Sequence, residues 1–268
     1  YDCTNLTTPA KIVDTYKLLE VTDLSYFLCG THCGNVSLEY PIDLRGLEGW
    51  LSNNQTINNL SGFLADTHNN SNNNLNSLKT PIDLRPLSGW FNGNTSILDM
   101  VLFLGHTHYN NTKLEAPIDL SPLSGWFNGN TSIIHLSHFL STTHASNPEL
   151  KTSINLIPLK YWFNGNRSIA DLTGFLTHTH KDNTALDLTG QQIFPNWIET
   201  LQDGSGIPIQ DVTDAFYKMF SCAPPKQTND SGEPEFEDGN VLSSLGTPSP
   251  NKETYTGRTG FTPASGWQ

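Results

Sequence analysis

The feature that most constrains this chain is internal repetition. The stretch PLSGWFNGNTSI occurs twice, unchanged, at 86–97 and 122–133, and two looser patterns alternate around it. One reads P-I-D-L-x-x-L-x-x-W and sets Trp50, Trp90, Trp126 and Trp162 in a column. The other reads I-x-D-L-x-x-F-L and sets Phe27, Phe63, Phe103, Phe139 and Phe175 in a second column; it closes on Thr-His at His32, His68, His108, His144 and His180. Successive Phe spacings are 36, 40, 36 and 36, and the longer unit carries an Asn-rich insertion at 69–76, where a surface loop tolerates it. A fixed period in this range is the signature of an array whose units bury their apolar faces only on one another.

Each unit therefore divides into a Trp coil and a His coil. In the Trp coil Leu120, Leu123, Trp126 and Phe127 share one face of a short helix. Ser121 is the expected N-cap, Pro122 the first helical residue and Gly129 the left-handed stop. In the His coil Leu172, Phe175 and Leu176 mark a second apolar face, capped by Asp171. Brief extended pieces such as 80–84 and 131–133 join them. Helices of about two turns do not stand alone, so their stability must come from stacking. The expected class is an α/β repeat solenoid, a stack of short helices and short strands. An N-terminal arm covers 1–20, the repeats 21–223, and an extended tail 224–268.

Two segments carry a family resemblance: DLSPLSGWFNGNTSI (119–133) and QDVTDAFYKMFSCA (210–223). They resemble the BspA-type leucine-rich-repeat surface proteins, whose pattern runs roughly S-x-V-T-x-M-x-x-M-F-x-x-A. The likeness spans about residues 20–223. It departs from that pattern where Leu or Trp replaces most Met positions and where coil length alternates. The resemblance implies a leucine-rich-repeat solenoid displayed outside a cell, and it supplies no catalytic residues.

Composition narrows the partners. Lys plus Arg number 14 against 26 Asp plus Glu, a formal charge of −12 with no basic cluster, which argues against nucleic acid or an anionic membrane surface. Apolar runs such as 100–104 are too short to span a bilayer. A start at Tyr1 without a signal-like segment fits a mature secreted chain or a cut one. Cys3, Cys29, Cys33 and Cys222 match no zinc spacing and are expected to form disulfides. A rigid stack of about 50 Å separates Cys222 from Cys29 and Cys33, since coils repeat every ~4.8 Å. Either Cys3 closes onto Cys29 or Cys33, or Cys29 pairs with Cys33 while Cys3 meets Cys222 of another chain. The last 46 residues include 23 Gly, Pro, Ser or Thr, a composition that makes no core of its own. Phe236, Tyr255, Phe261 and Trp267 are the expected anchors of that tail on its own or a neighbouring subunit.

Four columns are candidate chemistry. Asn-x-Ser/Thr acceptors occur at Asn5, Asn35, Asn54, Asn69, Asn94, Asn110, Asn130, Asn166 and Asn229, and more weakly at Asn59. Asn54, Asn94, Asn130 and Asn166 hold one position in successive Trp coils, predicting a stripe of covalent N-glycans on outward turns. The alternative is an inward amide bonded to the adjacent coil. The His column could ligate a metal, but without Cys or a fixed carboxylate the expectation is that Thr and His bond neighbouring backbone, with no metal or cofactor. The column Asp43, Asp83, Asp119 and Asp187, broken by Asn155, reads as turn capping instead of calcium ligation or glycoside cleavage. The Trp column reads as core.

These features lead to a secreted, glycosylated, non-enzymatic structural or adhesive element of the cell surface, polymerising end to end through raw coil faces. The main alternative is a recognition module binding a protein or glycan; a carbohydrate-active solenoid enzyme is a remote third.

Overall fold

The computed structural model describes residues 7–8, 20–35, 37–70, 78–91, 94–127, 130–159, 161–162, 168–183 and 185–186. The N-terminal Cys3 and Asn5, Asn166, Asp187, Cys222, Asn229 and the expected tail anchors lie outside them.

The Trp coil turns once and stops. Its only regular element is a three-residue 3-10 helix, at Arg45–Leu47, Arg85–Leu87, Ser121–Leu123 and Ile157–Leu159 in the four units. The expected two-turn helix is absent; in the third unit the 3-10 turn ends at Leu123 although Ser124 keeps helical angles, and in the first two a reversal directly follows the turn. Gly49 and Gly89, two residues beyond the last helical leucine, take φ of +73° and +74°, which reverses the chain. Gly129, the expected stop, lies outside the described residues. Ser121 is not the cap either. Asp119 Oδ1 accepts from Ser121 N at 2.8 Å, as Asp43 and Asp83 accept from Arg45 N and Arg85 N at 3.0 Å. Asn155 does the same for Ile157 N at 2.9 Å. Only an Oδ1 acceptor two residues upstream is needed, so Asn serves where the Asp column breaks.

The His coil, expected as a short helix over Leu172–Leu176, is a run of turns with a two-residue rhythm. In the first coil Leu24, Tyr26, Leu28 and Gly30 donate their N–H groups to Asn59, Ser61, Phe63 and Ala65 of the next unit. The residues between them, Phe27, Cys29 and Thr31, donate back to the carbonyl three positions earlier. Repeating this rhythm requires left-handed residues at fixed places: Tyr26 and Gly30 in the first coil, Leu102 and His106 in the third, His138 and Thr142 in the fourth. Tertiary pairing holds side chains there that would ordinarily avoid φ > 0, at about 1 kcal/mol or more apiece. Among the described residues there is no α-helix and no strand; isolated parallel bridges link Asp23, Asn59, Asp99, His135 and Asp171 in series.

The apolar column between the coils is continuous. Phe27, Phe63, Phe103, Phe139 and Phe175 stack face to face with centroids 5.5–5.9 Å apart. Trp90, Trp126 and Trp162 meet Phe63, Phe103 and Phe139 edge-on at 5.3–5.4 Å. Such pairs add about 0.5–1.5 kcal/mol each beyond area burial. Each indole also donates Nε1–H to the preceding Trp coil, at Leu47, Leu87 and Leu123 O. These tryptophans are packing residues, not an exposed sugar platform. Surface ion pairs Lys79–Glu115 and Lys113–Glu149 bridge equivalent turns of consecutive units and add little energy.

Candidate functional site

The polar residues singled out by the repeat converge on two buried columns. In the first, rings of His32, His68, His108, His144 and His180 stack at 5.2–5.8 Å. His68, His108, His144 and His180 are buried, and each Nε2 accepts the N–H of the isoleucine opening the Trp coil of its own unit. The acceptances come from Ile42 at 3.1 Å, Ile82 and Ile118 at 3.0 Å, and Ile154 at 2.9 Å. In the first three units a proline precedes that isoleucine, so its N–H is the first donor the coil offers.

A lone pair committed to a backbone N–H fixes the ring as neutral, with its proton on Nδ1. Burial drives His68, His108 and His144 well below the ordinary imidazole value, reinforced by neighbouring rings, and brings His180 down to about 3. In two units an asparagine amide three residues on lies beside the Nδ1 edge, whereas His68 and His144 Nδ1 are buried without a partner among the described residues. The Asn111 amide lies 3.3 Å from His108 Nδ1, and Asn183 lies 3.1 Å from His180 Nδ1. Asn111 Oδ1 is otherwise buried without a partner, so the amide orientation that turns Oδ1 toward Nδ1–H satisfies both groups. The His-x-x-Asn spacing recurs at 32/35, 108/111, 144/147 and 180/183, but the amides serve different partners: Asn147 Nδ2 donates to His108 O, and Asn183 Oδ1 accepts from Asn147 N.

The threonine before each histidine completes the column. Thr67, Thr107, Thr143 and Thr179 donate Oγ1–H to Leu28, Leu64, Leu104 and Leu140 O of the preceding unit at 2.7–3.2 Å. Metal binding would require Nε2 to release its backbone donor. No group of three or more His, Cys, Asp or Glu among the described residues is arranged to hold an ion.

The second column is asparagine. The expected outward turns are inward: Asn54, Asn94 and Asn130 are buried. Each Nδ2 donates to the preceding unit, Asn54 to Val21 O at 3.1 Å, Asn94 to Asn54 O at 2.7 Å and Asn130 to Asn94 O at 3.0 Å. Each Oδ1 accepts the N–H groups two and three residues on, as Asn94 does from Ser96 and Ile97. The hydroxyl at the second position, in Thr56, Ser96 and Ser132, donates to a carbonyl of the preceding unit. Every group of the Asn-x-Ser/Thr triplet thus has a packing task. The nitrogen that would carry a glycan is the one making the inter-unit bond. Asn35, Asn69 and Asn110 are also buried, with Asn69 Nδ2 on Asp66 Oδ1 and Asn110 Nδ2 on Asn70 O.

Cys29 and Cys33 are half-buried and no bond joins the two. Burial, the Asp66 carboxylate and Cys33 push the Cys29 thiol up, which disfavours a reactive thiolate. No helix among the described residues is long and apolar enough to cross a membrane. Compared with models of protein families and with curated proteins, the chain matches none.

Proposed function

We propose that this chain is a secreted, non-enzymatic, leucine-rich-repeat-like solenoid that serves as a structural or adhesive surface element and joins end to end with its own kind. The observation that carries this reading is how the repeated polar side chains are used. His, Asn, Thr and Trp of each unit bond to a neighbouring coil, as in Trp126 Nε1 to Leu87 O and Asn130 Nδ2 to Asn94 O. An enzyme would gather unlike residues at one place, and a receptor would concentrate non-repeating aromatic residues in one patch; here the chemistry is spread evenly and spent on cohesion. Any glycans belong on acceptors other than Asn54, Asn94 and Asn130. The test is sedimentation velocity with negative-stain microscopy of the 268-residue chain over a wide concentration range. Assemblies that lengthen with concentration are expected, and a monomer at every concentration would refute the reading.

A further inference from the structure

We propose that the outer face of the first His coil, around Asp23–Cys29, is the acceptor half of a head-to-tail joint and receives a His coil from a second copy of this chain. The proposal rests on the end-to-end reading above and names the surface and its polarity.

The inter-unit ladder is directional. At each junction four N–H groups of the earlier coil's rhythm meet carbonyls of the later one. Leu60, Gly62, Leu64 and Asp66 donate to Asp99, Val101, Phe103 and Gly105. Met100, Leu102, Leu104 and His106 donate to His135, Ser137, Phe139 and Ser141. Within this rhythm a coil turns its donors toward the following unit and its acceptors toward the preceding one, while at its two ends single N–H groups run the other way, as from Asn58 to Thr22 O and His68 to Thr31 O. In the first coil the equivalent acceptors, Asp23, Ser25, Phe27 and Cys29 O, receive no hydrogen bond from the described residues. What remains between Asp23 and Cys29 is a row of acceptors, which calls for a row of donors.

The side chains agree with the backbone. Phe63, Phe103, Phe139 and Phe175 are at most 1 % exposed, each covered by its neighbours in the stack. Phe27 holds the same position and is 48 % exposed, with Tyr26 beside it at 58 %. One side of the Phe27 ring stacks on Phe63. An apolar ring next to four unpaired carbonyls is the half-made version of every internal junction.

The repeat itself identifies the occupant. Matching the row requires N–H groups from alternate residues with the intervening ones folded back, and left-handed backbone at fixed positions, as at Gly62 and Asp66 or His138 and Thr142. A plain β-strand also offers alternate N–H groups along one edge, but with φ < 0 throughout it does not fold the intervening ones back. Coils of this sequence do. Because donors and acceptors face opposite ways, the contact is heterologous and does not close on itself.

The test uses the full chain and Phe27→Glu, followed by sedimentation velocity. Tryptophan emission serves as the fold control, since Phe27 lies 5.8 Å from Trp50. The variant is expected to associate at least tenfold more weakly than the parent. Added at low ratio, it should shorten parent assemblies, because the substitution leaves the opposite end of the chain unchanged. Should Phe27→Glu misfold, Tyr26→Glu probes the same face. A folded variant that assembles like the parent overturns this face and leaves end-to-end assembly standing. Parent chains that stop at closed dimers overturn the head-to-tail polarity. A parent that stays monomeric overturns both.

Discussion

Lowering the pH should dismantle this protein well before its carboxylates titrate. His68, His108, His144 and His180 are neutral in the folded chain because their Nε2 lone pairs are occupied and their surroundings are dry. No carboxylate partner accompanies them, and the only charges raised on their neighbours would be other imidazoles. A folded value below the unfolded one means that the unfolded chain takes up protons first. The stability is fully present above about pH 6.5 and is lost as pH falls toward the folded value. For His180 that window runs from 6.5 down to about 3. Each histidine kept neutral costs about 1.36 kcal/mol per pH unit inside the window, or about 2 kcal/mol by pH 5. Four acting together lose about 8 kcal/mol, against a total stability on the order of 5–15 kcal/mol for a domain. Urea unfolding between pH 7.5 and 5, followed by emission of the buried Trp90, Trp126 and Trp162, measures this directly. The expected slope approaches that of four protons, about 5.4 kcal/mol per pH unit, and His180→Gln, which retains a side-chain acceptor and does not titrate, should remove about one proton from it. A slope below one proton, about 1.4 kcal/mol per pH unit, would refute the buried neutral stack. The carboxylates of Asp66, Asp83 and Glu149 are held below their ordinary values of 3.8 and 4.5, so their window lies lower and does not contaminate the reading.

Two further outcomes follow from the columns. Asn130→Ala removes the bond to Asn94 O and leaves two backbone N–H groups without their acceptor, so it should cost about 2–4 kcal/mol in denaturant unfolding, while peptides containing Asn94 and Asn130 from eukaryotic expression should show unmodified mass. Glycan on both would sink the amide ladder. Gly174→Ala should be much worse than Gly30→Ala, although both have positive φ: a Cβ at Gly174 would sit 2.4 Å from His138 Cε1, whereas one at Gly30 meets nothing within 4 Å. The Gly30 change should cost about 1 kcal/mol from backbone strain, and equal melting temperatures for the two would contradict the packing of His138 over Gly174.

The period, the apolar columns and the roles of Thr, His and Trp were legible in the sequence, because repetition amplifies a weak signal at one position into a strong one across units. The local conformation was not. Leucines three apart, as at Leu120 and Leu123, fit a helix, but only one 3-10 turn forms in each unit, and at Gly89 a positive φ reverses the chain directly after it. In the His coil one left-handed column runs Tyr26, Gly62, Leu102, His138 and Gly174; the glycines suit φ > 0, but Tyr26 and Leu102 by their own preference give no hint of it. Only pairing with the next unit selects that conformation.

The acceptor triplet is the most instructive case. An asparagine two residues before a hydroxyl satisfies the glycosylation pattern, and it also suits a stacked turn that needs one side-chain acceptor, one donor and one hydroxyl. In Asn94-Thr-Ser96, Oδ1 closes the turn, Nδ2 reaches Asn54 O, and Ser96 Oγ reaches Ile57 O. Recurrence at a fixed place in every unit is what the packing account requires, since the ladder holds only if each unit supplies its rung. A glycan stripe makes no such demand, because one unmodified unit leaves the others as they are. Position within the turn decides between the two accounts where the pattern alone does not, and burial of Asn54, Asn94 and Asn130 favours the rung.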